Sequence, residues 1–317
     1  MRRSLKILRL SLSPSEVGKN LALLISCVVA ALVLTVSSET LRADDSAPAC
    51  PMGEGYEFAP ELSDEFNGDA LDDSKWWDFN PAWRGRKPAL YSRKNVSVAD
   101  GALRLTASVA EPDEVGYDDQ VRGYGKFWAS SVKSKAKSGY GYYEARCKSM
   151  HAALCNAFWL YDPLSDRPDR KYVEGDVSDE IDIFEFCGNP KDKSLDRFYF
   201  ATIHHFVTPY LESIINTKKL PIENPSYKQK MDFDFWTDFH VYGFAWTPTD
   251  LRWYVDGQEV CRHENDAFRR PLHIVFDCEV IPWWFGEPDP ADLPSSFEID
   301  YIRFWKLTDA QSAESEK

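Results

Sequence analysis

The sequence predicts an all-β fold, a sandwich of two antiparallel sheets, and three observations carry that expectation. Short segments that alternate apolar and polar residues, or that are rich in aromatics, recur along the chain. Asp-Gly pairs punctuate them, and glycine tolerates the positive φ that two-residue hairpins need. Helical periodicity is nearly absent. So many half-apolar strands bury their faces most economically when two sheets pack together.

Residues 1–43 stand apart from that pattern. Arg2, Arg3, Lys6, Arg9 and Lys19 precede an apolar run from Leu21 to Val36, and Leu41-Arg42-Ala43 offers a small residue for cleavage. This reads as a secretory signal and places the mature protein outside the cell or in the periplasm. An uncleaved anchor is the alternative, because the run is only slightly short of a membrane span. Cys50 lies too far past the run to serve as a lipidation site.

Losing residues 1–43 removes six Lys/Arg and two acids and takes the net charge from −14 to −18. A chain so acidic repels nucleic acid and anionic membranes, so neither is expected as a partner, and a monomer is expected. Residues 44–57 read as a linker, 58–307 as one large β domain, and 308–317, from Thr308 on, as a disordered acidic tail. Cys27 leaves with the signal. Cys50, Cys147, Cys155, Cys187, Cys261 and Cys278 remain, an even number that allows fifteen disulfide pairings. No Cys/His cluster has zinc-ligand spacing, so no metal centre is expected.

Within the domain, strands are expected at Val96–Val98, Ala102–Thr106, Tyr142–Arg146, Phe198–Ile203, Phe239–Phe244, Arg252–Val255 and Phe297–Ile302. Asp100-Gly101 and Asp256-Gly257 are expected hairpin turns.

One stretch organises the chain: Asp179-Glu180-Ile181-Asp182-Ile183-Phe184-Glu185-Phe186. Its Ile and Phe favour a strand. In an unbroken strand Glu180 and Asp182 would share a face and Glu185 would fall on the other. One extra residue at Ile183-Phe184, a β-bulge, would bring Glu185 back to their face. Like charges so close raise at least one pKa, which a sheet has no use for and chemistry does. A protonated and an ionised carboxyl about 5–5.5 Å apart are what a retaining glycosidase requires. A solvent-facing acidic edge is the alternative, and the apolar neighbours on both sides argue for a central strand instead.

Together with its flanks, this stretch resembles glycoside hydrolase family 16. Glu180-Ile181-Asp182-Ile183-Phe184-Glu185 is similar to that family's bulged ExDxxE signature. In the family's order, Asp64–Gly68 with Lys75-Trp76, Tyr140–Arg146, Ala157–Leu160, Phe239–Gly243 through Trp246–Pro248 to Trp253–Gly257, and Phe297–Arg303 match as well. The resemblance spans roughly residues 58–307. It implies a β-jelly roll with a concave sheet and endo-cleavage of β-linked polysaccharides with retention. By position, Glu180 would be the nucleophile, Glu185 the acid/base, and Asp182 the residue that orients Glu180 and tunes pKa values. No cofactor is implied; many relatives hold a structural calcium on the convex face, whose ligands the sequence does not identify.

Within the family the chain is nearest to the agarase, porphyranase and κ-carrageenase group. Asn80–Pro88 resembles a segment that agarases and porphyranases carry near the start of the cleft. Arg84, Arg86, Lys87, Arg93 and Lys94 put five positive charges in eleven residues of an acidic chain. The patch reads either as a holder of sulfated or otherwise anionic sugar, with Arg84 and Arg86 as candidates, or as a solvated basic loop. Residues 160–178 lack the Trp-Pro of laminarinases, which favours red-algal galactans over β-1,3-glucans. A β-1,3- or mixed-linkage glucanase and a non-catalytic lectin of the same fold remain alternatives, as does a transglycosylase using the same residues.

Aromatic rings stack on the apolar faces of sugars. Trp159 is the first candidate, in the strand before the acidic one; Trp83 follows, and Trp283 and Trp284 are candidates for another edge. Trp246 and Trp253 are assigned to the core. Of His204 and His205 only one can face the cleft, and His204 is preferred from its spacing to Phe206. His240, Glu144, Asp256 and Asp300 read as structural.

Overall fold

A computed structural model describes residues 47–162, 177–207, 218–219 and 226–308. The chain divides into two units, Met1–Pro48 and Ala49–Lys317, and the second holds every described strand. The expected signal and all of the expected tail but Thr308 lie outside the described residues. No helix among the described residues is long and apolar enough to cross a membrane.

Two antiparallel sheets form. The first runs β4 (Val96–Ala99), β5 (Ala102–Val109), β17 (Ser295–Leu307), β7 (Gly141–Lys148), β13 (His240–Trp246), β14 (Asp250–Val255) and β15 (Gln258–Glu264). β1 (Tyr56–Phe58) pairs with the end of β17. The second runs β2 (Trp76–Trp77), β6 (Phe127–Ser138), β16 (Leu272–Glu279), β8 (Cys155–Tyr161), β9 (Val177–Phe186) and β10 (Phe198–Val207), with β11 (Lys218–Lys219) and β12 (Ser226–Lys230) on the far side of β10. β3 (Ala89–Tyr91) pairs in parallel with the start of β6.

Alternation decides which side chains meet. Leu103, Leu105, Tyr143, Phe244, Phe297 and Ile299 of the first sheet share one core with Phe158, Leu160, Ile181, Phe184, Ile274 and Phe276 of the second. Phe158 stacks on Phe276 at 4.5 Å, and Phe184 reaches Tyr242 of the opposite sheet at 4.5 Å. Trp246 and Trp253 are buried in this core, as expected. Both expected hairpins form, with φ of 54° and 74° at Asp100-Gly101 and 47° and 75° at Asp256-Gly257.

Two expected boundaries move. Of the segment read as a linker, the part from Cys50 on belongs to the fold: Cys50, Met52 and Tyr56 pack against Tyr142, Ala245 and Trp305, and β1 starts at Tyr56. Thr308, read as the start of the tail, donates its N–H to Gly55 O at 3.0 Å. All six described cysteines are free, so none of the fifteen pairings is present.

Candidate active site

β9 lies in the middle of the second sheet, between β8 and β10, and it carries the bulge. Phe158 faces Phe184 but Trp159 faces Asp182, so Ile183 is the extra residue. The ladder to β10 slips at the same place, between Phe200 and Thr202. Ile181, Ile183, Phe184 and Phe186 therefore all enter the core, while Glu180, Asp182 and Glu185 line one cleft of about 350 Å³. A bulge frees backbone carbonyls from the ladder, and buried ones need partners. The core supplies them: Trp253 Nε1 donates to Asp182 O at 3.1 Å, and Tyr199 Oη donates to Ile183 O at 2.5 Å.

The cleft is more acidic than the motif alone indicates. Asp277 and Glu279 of β16 also line it, with Asp277 opposite Ala157 and Glu279 opposite Cys155 on β8. Sequence reasoning missed both. β16 is buried at every position, so it shows no alternation to read. The Asp-x-Glu spacing inside an apolar run, the same signal as Glu180-x-Asp182, was available.

Burial and mutual repulsion raise the pKa values of these carboxyls. Glu180 is pushed up to about 8, by burial first and the Asp182 charge second, while His204 and Arg86 pull it down. Asp182 is pushed up to about 8 by burial and by Glu279. Glu185 is raised by burial, then by Asp182, Glu279 and Glu180, against a hydrogen bond from Cys155. Of the three acids of the motif, Glu180 is pulled back toward its charged form by both His204 and Arg86, and His204 also lies beside Asp182.

His204 is the histidine that faces the cleft: its Nε2 lies 3.4 Å from Asp182 Oδ2 and 3.6 Å from Glu180 Oε1, and its ring stacks on Phe206. His205 turns away to Asp179 at 2.5 Å and packs against Phe268. Glu180, Asp182 and His204 are also the only trio of His, Cys, Asp or Glu among the described residues with ligand atoms all within 4.8 Å of one another. Any ion there would occupy the same atoms that the acid chemistry needs.

Trp159 and Trp83 both line the cleft. Trp159 is largely buried, and its Nε1 donates to Asp277 Oδ2 at 3.2 Å. Arg86 lies between two indoles, 5.2 Å from Trp83 and 5.3 Å from the well-exposed Trp283, and its Nε donates to Glu279 Oε2 at 2.6 Å. Trp284 packs instead on Phe200 and Phe285.

The basic patch needs correcting. Arg84 is not in the cleft; it points to Asp119 at 2.5 Å, and Arg93 pairs with Asp78 at 3.0 Å. In so acidic a chain, surface guanidinium groups find carboxylates of their own. Arg86 alone of the five cations reaches the cleft lining. The residues read as structural have protein partners: Glu144 accepts from Tyr301, Asp300 pairs with Arg146, and Asp256 accepts from Val241 N and contacts His240.

The model of the β-porphyranase A–D domain of glycoside hydrolase family 16 matches residues 56–307. The chain belongs to glycoside hydrolase family 16. It is 28% identical to β-porphyranase D of Zobellia galactanivorans over 89% of this chain and 68% of that protein. It is 30% identical to the κ-carrageenase of Pseudoalteromonas carrageenovora over 90% of this chain and 73% of that protein. Among solved structures, a β-porphyranase from the human gut bacterium Bacteroides plebeius superimposes with a TM-score of 0.66 at 26% identity, covering 86% of this chain and 98% of that one. Family 16 membership makes the chain a retaining glycoside hydrolase on a jelly-roll sandwich, as the motifs predict.

Proposed function

We propose that this family 16 hydrolase is an exported enzyme that cleaves internal β-linkages of red-algal galactans of the agar, porphyran or carrageenan type. The observation that carries the reading is the bulge that gathers Glu180, Asp182 and Glu185 on the floor of one cleft. In this reading an ionised Glu180 attacks the anomeric carbon while Glu185 gives its proton to the departing glycosidic oxygen. Glu185, now a carboxylate, takes a proton from water, and that water releases the sugar from Glu180 with retained configuration. Asp182 and His204 hold and tune Glu180 from the same face.

The polysaccharide class is supported by the porphyranase and carrageenase relatives and by Trp83 and Arg86 at the cleft lining, with Trp283 beside Arg86. Export is supported by the basic and apolar residues before Ala43, and by the size of such polymers, which keeps them outside a membrane.

The test is reducing-end release by residues 44–317 from agarose, porphyran, κ-carrageenan, laminarin and lichenan in parallel. Release from one or more galactans alone supports the reading. Release from laminarin or lichenan alone overturns the substrate and keeps the carboxylates. Binding without release would make the chain a lectin, and products longer than the substrate would make it a transglycosylase.

A further inference from the structure

Cys155 lines the cleft, and neither the motif nor the mechanism uses it. It opens β8 at the cleft floor, 2% exposed and unbridged. Across the ladder to β16 it faces Glu279. On its other side the ladder pairs Ala157 with Glu185, so Cys155, two residues earlier on the same face, is the diagonal neighbour of Glu185. Its Sγ lies 3.7 Å from Glu185 Oε1.

We propose that Cys155 is a positioning residue for the acid/base: its S–H donates to Oε1 of Glu185 and leaves Oε2 to face the glycosidic oxygen. The inference rests on the role proposed for Glu185. Burial and the surrounding carboxylates raise the Cys155 thiol well above its usual range, so it stays an S–H donor throughout the working pH range. A neutral donor suits a residue that must be both acid and base. It favours the carboxylate form of Glu185, which the second half of the reaction uses, without adding a charge that would strip the proton needed in the first half. Among the described residues it is a hydrogen-bond donor to a group faced by carboxylates: Glu180 and Asp182 from β9, Asp277 and Glu279 from β16. The cations nearby, His204 on β10 and Arg86, are closer partners of Glu180, Asp182 and Glu279.

Cys187 provides the control. Continuing the ladder one step past Asn156–Phe186 puts it opposite Cys155, it is equally buried, and its Sγ donates to Ala152 O at 3.4 Å instead.

The experiment compares kcat/KM against pH for the wild type, Cys155→Ala, Cys155→Ser and Cys187→Ala on the galactan that the wild type cleaves. Cys155→Ala is expected to move the basic limb, where Glu185 loses its proton, upward by about half a unit to one unit, the scale of one weak donor. Its kcat should fall about three- to tenfold with KM nearly unchanged, since misplacing an acid/base forfeits part of its contribution. Cys155→Ser, with a stronger O–H donor, should place the limb below the wild-type position. Cys187→Ala, which loses the same volume, should leave the limb in place. An unmoved limb in a folded Cys155→Ala, or a limb that moves equally in Cys187→Ala, overturns the assignment. If Cys155→Ala does not fold, Cys155→Ser carries the test through the opposite displacement: its stronger donor must lower the limb. Glu185→Gln separates the two failures. If it keeps wild-type activity on the polysaccharide, the acid/base role itself is wrong; if it is inactive there while Cys155→Ala is unshifted, only the Cys155 inference fails.

Discussion

Arg86 donates from Nε to Oε2 of Glu279 at 2.6 Å, tying the segment before β3 to the end of β16 across 193 residues of sequence. The pair does more than neutralise charge. It holds the guanidinium between Trp83 and Trp283, and it compensates a carboxylate whose field raises Asp182 and Glu185. Arg86→Ala leaves Glu279 buried without its cation, at a cost of about 1–3 kcal/mol. It should therefore lower the melting temperature and raise KM for the polysaccharide. Arg86→Lys should recover little, because an ammonium lacks the planar fork that both stacks and pairs. Thermal melts and steady-state kinetics check this, and a lysine variant matching wild type in both would contradict it.

The bulge should be as sensitive to its core supports as to its acids. Tyr199→Phe keeps the ring but leaves Ile183 O without its donor. An unsatisfied buried carbonyl costs about 1–3 kcal/mol, and each kcal/mol is worth about 2–4 °C in a domain of this size. Because the loosened carbonyl belongs to the extra residue that aims Glu185, kcat should fall severalfold as well. A variant that melts lower but turns over at the wild-type rate would show that the bulge is held by the ladder alone.

What the sequence made legible follows the physics of alternation. Strands with one face in the core, such as β5 and β17, declare themselves, and so do hairpins that need Gly101 and Gly257 at positive φ. The bulge was legible from its acids: Glu185 could join Glu180 and Asp182 on one face only if the period broke at Ile183-Phe184, and that break sends Ile181, Ile183, Phe184 and Phe186 together into the core. β16 was not, because both of its faces are buried and Asp277 and Glu279 look like isolated polar residues in an apolar run. β6 was hidden by its polarity, since Ser130, Ser131, Lys133 and Ser134 are all buried there. Partners were illegible too. Arg84 and Arg86 are two residues apart, yet one turns to Asp119 and the other to Glu279, contacts set by tertiary folding alone.

The two glutamates should fail differently. Glu180→Gln removes the nucleophile and should lower activity on every substrate by at least about 100-fold, with polysaccharide binding kept. Glu185→Gln removes the proton donor, so polysaccharides should suffer most and aryl glycosides with good leaving groups least. Parallel kinetics on both substrate types check the pair. Equal losses for Glu185→Gln on both types would remove it from the acid role.

Asp182 offers a test of the cleft's electrostatics that does not depend on turnover. Its carboxyl is 4% exposed and titrates near 3.8 in an unfolded chain but up to about 8 when folded. The folded state therefore holds this proton more tightly than the unfolded state does. Linkage then makes the fold lose stability as pH rises through the window between those two values; below it both states are protonated and the term vanishes. Asp182→Asn keeps the shape and removes the titration. Its melting temperature should nearly match wild type below about pH 4 and exceed it increasingly toward pH 8, by at least about 2–4 °C, the equivalent of 1 kcal/mol. Catalysis should fall in the same variant, since the group that destabilises the fold is the one that tunes Glu180. Were Asp182→Asn instead less stable than wild type at pH 8, the carboxylate would be stabilised on balance. Its contact with His204 at 3.4 Å would then be a true ion pair that outweighs the cost of burying the charge.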